Sequence, residues 1–174
     1  MNDVNLGFVE WTLIDSRLGT IALVAKDRRL ISLDITREDG AVLRKRLRDQ
    51  YPGSVESVKS FGKLQRLLDQ FLRGVRVEFD VPFDLGELGD FSHRVLLEVK
   101  KIPYGTVVSY ASIGRRLGYP MAARAVGQAV GRNPVPIVIP CHRVVRSDGA
   151  LGGFGMGLNL KKHLLALEGI RLPP

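Results

Sequence analysis

The sequence predicts an α+β protein, with an N-terminal αβ domain over residues 1–85 and a mainly helical C-terminal domain over residues 86–174. Residues 8–35 alternate apolar and polar side chains, which is typical of strands. Beyond residue 91, apolar side chains recur at helical spacing. Between these regions, residues 84–90 contain two glycines and three acids, a composition typical of a linker.

The first half is predicted to be a β-meander followed by two helices. Three short antiparallel strands are expected at residues 8–15, 20–25 and 30–35. Helices are expected at residues 38–51, with Val42, Leu43, Leu47 and Tyr51 on the buried face, and at residues 60–72. The alternating segment 75–81 predicts an additional edge strand.

The second half is predicted to contain a helix-turn-helix. A first helix should begin at Ser92 as its N-cap and continue to Ile102. Ser109 can cap a helix over residues 110–117, and Pro120 can open another over residues 121–131. Two short helices joined by a tight glycine-containing turn form the outline of this motif. A glycine-rich loop at residues 149–157 precedes a final helix.

All of the excess positive charge lies in the second half. The whole chain carries a formal net charge of +8. Residues 1–90 hold 14 Lys and Arg against 15 Asp and Glu, whereas residues 91–174 hold 12 against 3. This asymmetry indicates a polyanionic partner such as nucleic acid rather than a merely solvated surface.

Composition excludes several classes of protein. No apolar run approaches the roughly 20 residues of a membrane span, and the N-terminus lacks a secretory signal pattern. We therefore expect an intracellular protein, cytoplasmic or, in a eukaryote, nuclear. The single cysteine permits neither an internal disulfide nor a cysteine-rich zinc site, and we expect no metal.

That cysteine, Cys141, is the main candidate for chemistry. A thiol becomes a nucleophile when a cation or a paired histidine lowers its pKa, and His142 and Arg143 follow directly. Side chains of adjacent residues point apart on an extended chain, so we expect His142 to reach the thiol through a water. Glu168 could orient the histidine ring. The alternatives are a small buried cysteine, a structural histidine and an ordinary glutamate at a helix end.

The second half resembles the O6-alkylguanine-DNA alkyltransferase family, the methylated-DNA–protein-cysteine methyltransferases. The resemblance runs continuously from residue 91 to residue 169. It is carried by P-C-H-R-V at residues 140–144, N-P-V-P at residues 133–136, A-A-R-A-V-G at residues 122–127, the glycine loop and Glu168-Gly169. Over residues 1–85 it is architectural only, and it implies a ribonuclease-H-like αβ domain.

The resemblance implies DNA repair without a cofactor. In the family, the cysteine thiolate attacks the alkyl carbon on O6 of a guanine flipped out of duplex DNA. The product is a thioether, so the protein is consumed one for one. The implied partner is double-stranded DNA containing O6-alkylguanine, methyl being the first substrate to expect, and the implied state is a monomer.

The resemblance also implies roles for individual residues. Arg124 would occupy the gap left by the flipped nucleotide, Tyr110 would bond the purine N3, and Asn133 would tie the helix-turn-helix to the active-site turn. His142 and Glu168 would form the proton relay. The carbonyls of Cys141 and Val144 and the N–H of Gly155 would contact the guanine. The predicted DNA-binding set is Arg124, Ala122, Ala123, Tyr110 and Arg143, and the predicted pocket set is Val144, Phe154, Gly155 and Met156.

Two departures from the family pattern concern the loop and a metal. Phe154 lacks the hydroxyl of the common tyrosine, and Met156 adds bulk, which bears on the size of the alkyl group accepted. The N-terminal domain has no cysteine or histidine for the zinc site of some members. Two other classes stay open at this point: a lesion sensor in which Cys141 is inert, and a cysteine hydrolase that turns over.

Overall fold

A computed structural model describes residues 7–171. The chain begins with a meander of three antiparallel strands, β1 (Val9–Ser16), β2 (Gly19–Lys26) and β3 (Arg29–Thr36). The predicted meander is therefore confirmed. Period-two alternation sends successive side chains to opposite faces of the sheet, which is why the strands could be read from sequence.

The fourth strand of the sheet is not the predicted one. A two-residue strand, β4 (Val55–Glu56), pairs parallel with β1, giving the order β3-β2-β1-β4. The edge strand expected at residues 75–81 is wrong, because this extended segment joins no ladder. Lysine side chains bond its carbonyls instead: Lys100 Nζ donates to Phe79 O over 2.8 Å, and Lys63 Nζ donates to Asp80 O.

Two helices cover the sheet, α1 (Gly40–Gln50) and α2 (Gly62–Leu72), the latter preceded by a 3-10 turn at Lys59–Phe61. Asp39 starts α1 because its carboxylate accepts from the N–H groups of Ala41 and Val42, over 2.8 and 3.3 Å. Leu43 and Leu47 are buried as predicted, but Val42 is 53% exposed, so its assignment to the buried face was wrong.

The second half contains α3 (Asp90–Lys100), α4 (Tyr110–Arg116), α5 (Ala123–Gly131) and α6 (Leu158–Leu167). Ser109 caps α4 by accepting from Ser112 N over 3.1 Å, as predicted. Ser92 does not cap α3: Gly89 occupies that position and Ser92 lies buried in the first turn. Likewise α5 starts at Ala123 rather than Met121, because Tyr119 and Ala122 close a turn first.

One hydrophobic core runs through both halves. It joins Leu23 and Phe71 of the first half to Val95, Ile113 and Ile139 of the second. A smaller cluster around Trp11 packs beneath α1. The two halves are also bonded directly, since Leu33 N of β3 donates to Pro134 O over 2.9 Å. The sheet therefore supports the segment that leads to Cys141, and the boundary at residues 85 and 86 stays a prediction.

Candidate active site

The segment that follows α5 is folded back on itself by one amide. Asn133 Nδ2 donates to Ile139 O over 2.9 Å, and Val135 N donates to Asn133 Oδ1 over 3.1 Å. Between these bonds Ile137 has φ 71°, a left-handed conformation that a β-branched residue rarely adopts. The tight turn brings the chain to Cys141, which starts a short 3-10 helix, Cys141–Arg143. Asn133 thus has the position that its expected tie requires.

Burial controls the acidity of the Cys141 thiol. The residue is 5% exposed and belongs to the shared core. Burial raises the pKa of the thiol to about 11, although the Asn133 side chain and the charge of Lys161 act in the opposite direction. The thiol is therefore protonated at neutral pH, and it can act as a nucleophile only when a base removes its proton.

A base lies in the next residue. His142 is fully buried, and its Nε2 lies 2.7 Å from Glu168 Oε1. Burial lowers the pKa of the imidazole while Glu168 opposes that shift, so the ring is neutral at rest. An ionised carboxylate can only accept, so Nε2 carries the ring proton and Nδ1 holds the free lone pair. Within residues 7–171, this buried Nδ1 has no hydrogen-bond partner.

Glu168 is held ionised by three donors. Burial alone would raise its pKa, but hydrogen bonds from His142, Arg143 and the Gly105 N–H lower the pKa to about 2. The Gly105 N–H lies 2.9 Å from Oε2. The carboxylate is thus a fixed negative charge against which an imidazolium on His142 would be stabilised.

Arg143 lies in the interior and not on the surface that its predicted DNA contact requires. It is 7% exposed, and its guanidinium donates to Glu168 over 2.9 Å and to Ile102 O over 2.6 Å. The guanidinium thus donates to acceptors within the protein along both of its edges. In the free protein, therefore, the Arg143 guanidinium is turned inward and positions Glu168.

A second buried cation, Lys161 of α6, escaped the sequence reasoning. Its side chain is fully buried, and Nζ donates to Val144 O over 2.6 Å and to Gly153 O over 3.3 Å. A third bond goes to Leu151 O. Burial lowers its pKa to about 8, partly opposed by the nearby Cys141. Lys161 thereby anchors the glycine loop to β6 (Val144–Val145), which pairs with β5 (Val108–Ser109).

The signal that could have revealed Lys161 is its spacing. Lys161, Leu164, Leu165 and Glu168 recur at i, i+3, i+4 and i+7, which places all four on one helical face. All four are buried. A lysine in register with two core leucines and a functional glutamate points inward, whereas its neighbour Lys162 is exposed.

The predicted pocket residues lie around the same loop. Val144 is fully buried, Phe154 packs on the core, and Gly155 is exposed while Met156 is partly buried. Tyr110 Oη donates to Gly153 O over 3.3 Å. A side chain at Gly152, whose φ is +66°, would meet the Tyr110 ring at 2.8 Å, so only glycine lets the loop approach this tyrosine.

The helix-turn-helix presents the predicted DNA-contacting residues on the outside. Arg124 is exposed at the start of α5, and Ala122 and Ala123 beside it are partly exposed. Small residues here leave room for a close approach to another backbone. The three acids of residues 91–174 are all engaged by cations: Glu98 by Lys101 and Arg116, Asp148 by Arg146, and Glu168 by Arg143. The Lys and Arg side chains outside these pairs therefore carry the excess positive charge of the second half.

The described residues contain neither a cluster of metal ligands nor a helix that could span a membrane. Across residues 7–171 there is no group of three or more His, Cys, Asp or Glu side chains placed to hold a metal ion. In the same range, no helix is long and apolar enough to cross a membrane.

The fold and the site define a class: a helix-turn-helix protein with a buried cysteine next to a neutral histidine that is bonded to an ionised glutamate. Two family models identify the class further. The DNA-binding domain of 6-O-methylguanine DNA methyltransferase matches residues 90–170, and the ribonuclease-like domain of the same proteins matches residues 9–85. The chain belongs to this family of methylated-DNA–protein-cysteine methyltransferases.

Individual relatives agree over nearly the whole chain. The methylated-DNA–protein-cysteine methyltransferase of Mycolicibacterium paratuberculosis is 38% identical over 160 residues, which are 92% of each protein. That of Metallosphaera sedula is 38% identical, covering 91% of this chain and 93% of its own. Among solved structures, Mycobacterium tuberculosis OGT in complex with DNA superposes with a TM-score of 0.78 at 35% identity, covering 91% of this chain and 92% of that one.

Proposed function

We propose that this protein repairs DNA by moving the alkyl group of O6-alkylguanine, methyl first of all, irreversibly to the thiol of Cys141. The observation that carries the proposal is the buried contact between His142 and Glu168, 2.7 Å long, directly beside Cys141. Membership of the methyltransferase family and the structural likeness to a relative bound to DNA support it.

In the proposed reaction, His142 Nδ1 takes the thiol proton through a water. The negative charge of Glu168 stabilises the resulting imidazolium, which offsets the high pKa of the thiol. The thiolate attacks the alkyl carbon, an S–C bond forms, and the C–O6 bond breaks with its electron pair on the guanine oxygen. The imidazolium proton can return to the departing base, so guanine leaves neutral and the protein keeps a thioether.

The substrate must be flipped to reach a thiol that is 5% exposed. We propose that Arg124 fills the gap in the duplex and that Tyr110 contacts the rotating base. Ala122 and Ala123 would line the minor groove. The Val144 carbonyl already accepts from Lys161 and has a second lone pair for the guanine amine. Phe154, Gly155 and Met156 would close over the base.

Further parts of the proposal follow from the chemistry. A thioether is not hydrolysed, so the protein should act once and need no cofactor. We propose that it acts as a monomer. The compartment would be the one that holds the genome, the cytoplasm or, in a eukaryote, the nucleus.

One observation favours the alternative of a lesion sensor. A buried thiol with a pKa of about 11 is also what an inert cysteine would have. Incubation with duplex DNA containing O6-methylguanine, followed by intact-mass measurement and peptide mapping, separates the two. We expect one added methyl group on the Cys141 peptide and a burst that stops at one equivalent. Binding without a mass change would establish a sensor, and turnover beyond one equivalent would establish a hydrolase.

A further inference from the structure

The turn between α4 and α5 carries the most exposed large apolar side chain of the described residues. Met121 is 96% exposed, whereas the next large hydrophobic residue, Val58, is 61% exposed. Tyr119, at 44%, stands next to it in the same turn. A large apolar side chain held almost wholly in water gives up the free energy that burial would provide. Single exposed apolar side chains are common, so the surroundings of Met121 decide what it can contact.

The backbone beneath Met121 is fixed. Tyr119 N donates to Gly114 O over 2.8 Å, and Ala122 N donates to Tyr119 O over 3.1 Å. A side chain at Gly114 would meet Tyr119 O at 2.7 Å, so α4 and the turn are as close as glycine allows. The turn therefore presents Met121 without needing to be ordered on binding.

The Tyr119 ring is held as firmly. Phe91 packs edge-on against it at 5.5 Å between centroids, and the Arg94 guanidinium lies 5.6 Å from its centre. Only the Met121 side chain remains without such packing. Methionine is unbranched and polarisable, which suits it to an irregular surface such as the wall of a groove.

Cations flank the turn on both sides. Arg115 and Arg116 are exposed in the last turn of α4, and Arg124 is exposed in the first turn of α5. Met121 precedes Arg124 by three residues. An apolar tip between arginines fits a duplex, because the phosphates face the arginines while the sugars and base edges of the minor groove offer apolar contact.

We propose that Met121 packs against the sugars and base edges of the minor groove beside the flipped nucleotide, as an uncharged partner to Arg124. This inference rests on the proposed repair of duplex DNA. The proposal predicts a specific salt dependence of DNA affinity. An apolar contact adds affinity but releases no counterion, whereas an arginine on a phosphate adds both affinity and salt dependence.

The test compares five variants by DNA affinity over a range of salt concentrations. Met121→Ala and Met121→Gln should weaken binding to lesion-containing duplex roughly tenfold at every salt concentration, leaving the slope of log affinity against log salt as in the wild type. Met121→Leu should restore most of the affinity, because its side chain is apolar and of similar volume. Arg115→Ala is the contrast, because it removes an exposed cation that flanks the turn and faces the phosphates, and its slope should be smaller by about 1. Val58→Ala is the matched control for removing an exposed apolar side chain elsewhere.

A second measurement does not depend on substitution. Mild peroxide oxidation should convert Met121 to its sulfoxide in the free protein, and duplex DNA should slow that conversion. Oxidation that is equally fast with and without DNA would overturn the inference, as would a Met121→Ala protein that binds like the wild type. Loss of reaction with free O6-benzylguanine in Met121→Ala would place the residue in the pocket, which also overturns it. A wild-type protein that binds DNA without alkylation would refute the proposed repair yet leave this affinity test intact.

Discussion

The two halves of the molecule use the same charged residue types in opposite ways. In the first half, the ion pairs Lys45–Asp49, Arg46–Glu38 and Arg73–Asp69 lie on the surface, with side chains that are 32% to 79% exposed. In the second half, Glu168 contacts His142 and Arg143 where these three side chains are at most 8% exposed. Surface pairs contribute little because water screens them, whereas a buried pair leaves a costly isolated charge if one member is lost.

The difference between the two halves indicates where the functional site lies. The first half holds nearly equal numbers of positive and negative side chains, and its described residues include no titratable group with a large pKa shift. The second half contains a raised pKa on Cys141 and lowered pKa values on Lys161 and Glu168. Burial with a specific partner is the physical source of such shifts, and active sites are where they collect.

The largest expected effect comes from removing the buried carboxylate. Glu168→Ala leaves the Arg143 charge buried without a partner, and we expect the free energy of unfolding in urea to fall by about 3–5 kcal/mol. Asp49→Ala, which breaks the exposed pair with Lys45, is the matched control and should leave the free energy of unfolding close to that of the wild type. Equal losses in the two variants would break the contrast between the halves. If Glu168→Ala does not fold, Glu168→Gln provides the same comparison.

The next effect is a dependence of stability on pH. The pKa of Glu168 is about 2 in the folded protein against an ordinary 4.5, so its stabilising contribution is complete above pH 4.5 and is lost as pH falls toward 2. The loss amounts to about 3 kcal/mol. The difference in unfolding free energy between the wild type and Glu168→Gln should therefore shrink over this pH range. A difference in unfolding free energy that stays constant from about pH 5 to about pH 2.5 would mean that the partners of Glu168 do not keep it ionised.

The smallest effect concerns Lys161 and reactivity. Lys161→Met removes the anchor of the loop and the positive charge near the thiol, and we expect alkyl transfer from free O6-benzylguanine to slow roughly ten- to a hundredfold. Lys162→Met, on the exposed side of the same helix, should react as the wild type does. The measurement is the rate of mass increase on Cys141 under single-turnover conditions. Equal rates in both variants would show that burial of Lys161 serves packing alone.

Periodicity accounts for most of what the sequence could predict. The meander, α2, the cap at Ser109 and α6 follow from local patterns that the final packing leaves intact. Residues 75–81 alternate like a strand, yet Lys63 and Lys100 bond two of their carbonyls, and these lysines come from elsewhere in the chain. Ser92 resembles a cap in sequence, but α3 begins two residues earlier and buries it.

The same distinction between local patterns and long-range contacts applies to the candidate site. Cys141 and His142 are adjacent, so sequence alone brings them together, and a helix at the C-terminus made Glu168 a reasonable partner. The fork of Arg143 onto Glu168 and Ile102 spans 25 and 41 residues. No local pattern encodes a contact of that separation. The DNA contact predicted for Arg143 therefore conflicts with its burial, which directs the guanidinium inward.

The bond from Leu33 N to Pro134 O, together with Lys100 donating to Val138 O over 3.0 Å, fastens the active-site segment from two directions. The sheet supplies no reacting atom, yet it bears on the reaction through geometry, because a displacement needs its nucleophile aligned within a narrow range of positions. Loosening β3 would thus appear as a slower chemical step and not only as a lower melting temperature. The meander therefore holds the thiol in the position and orientation that the displacement requires.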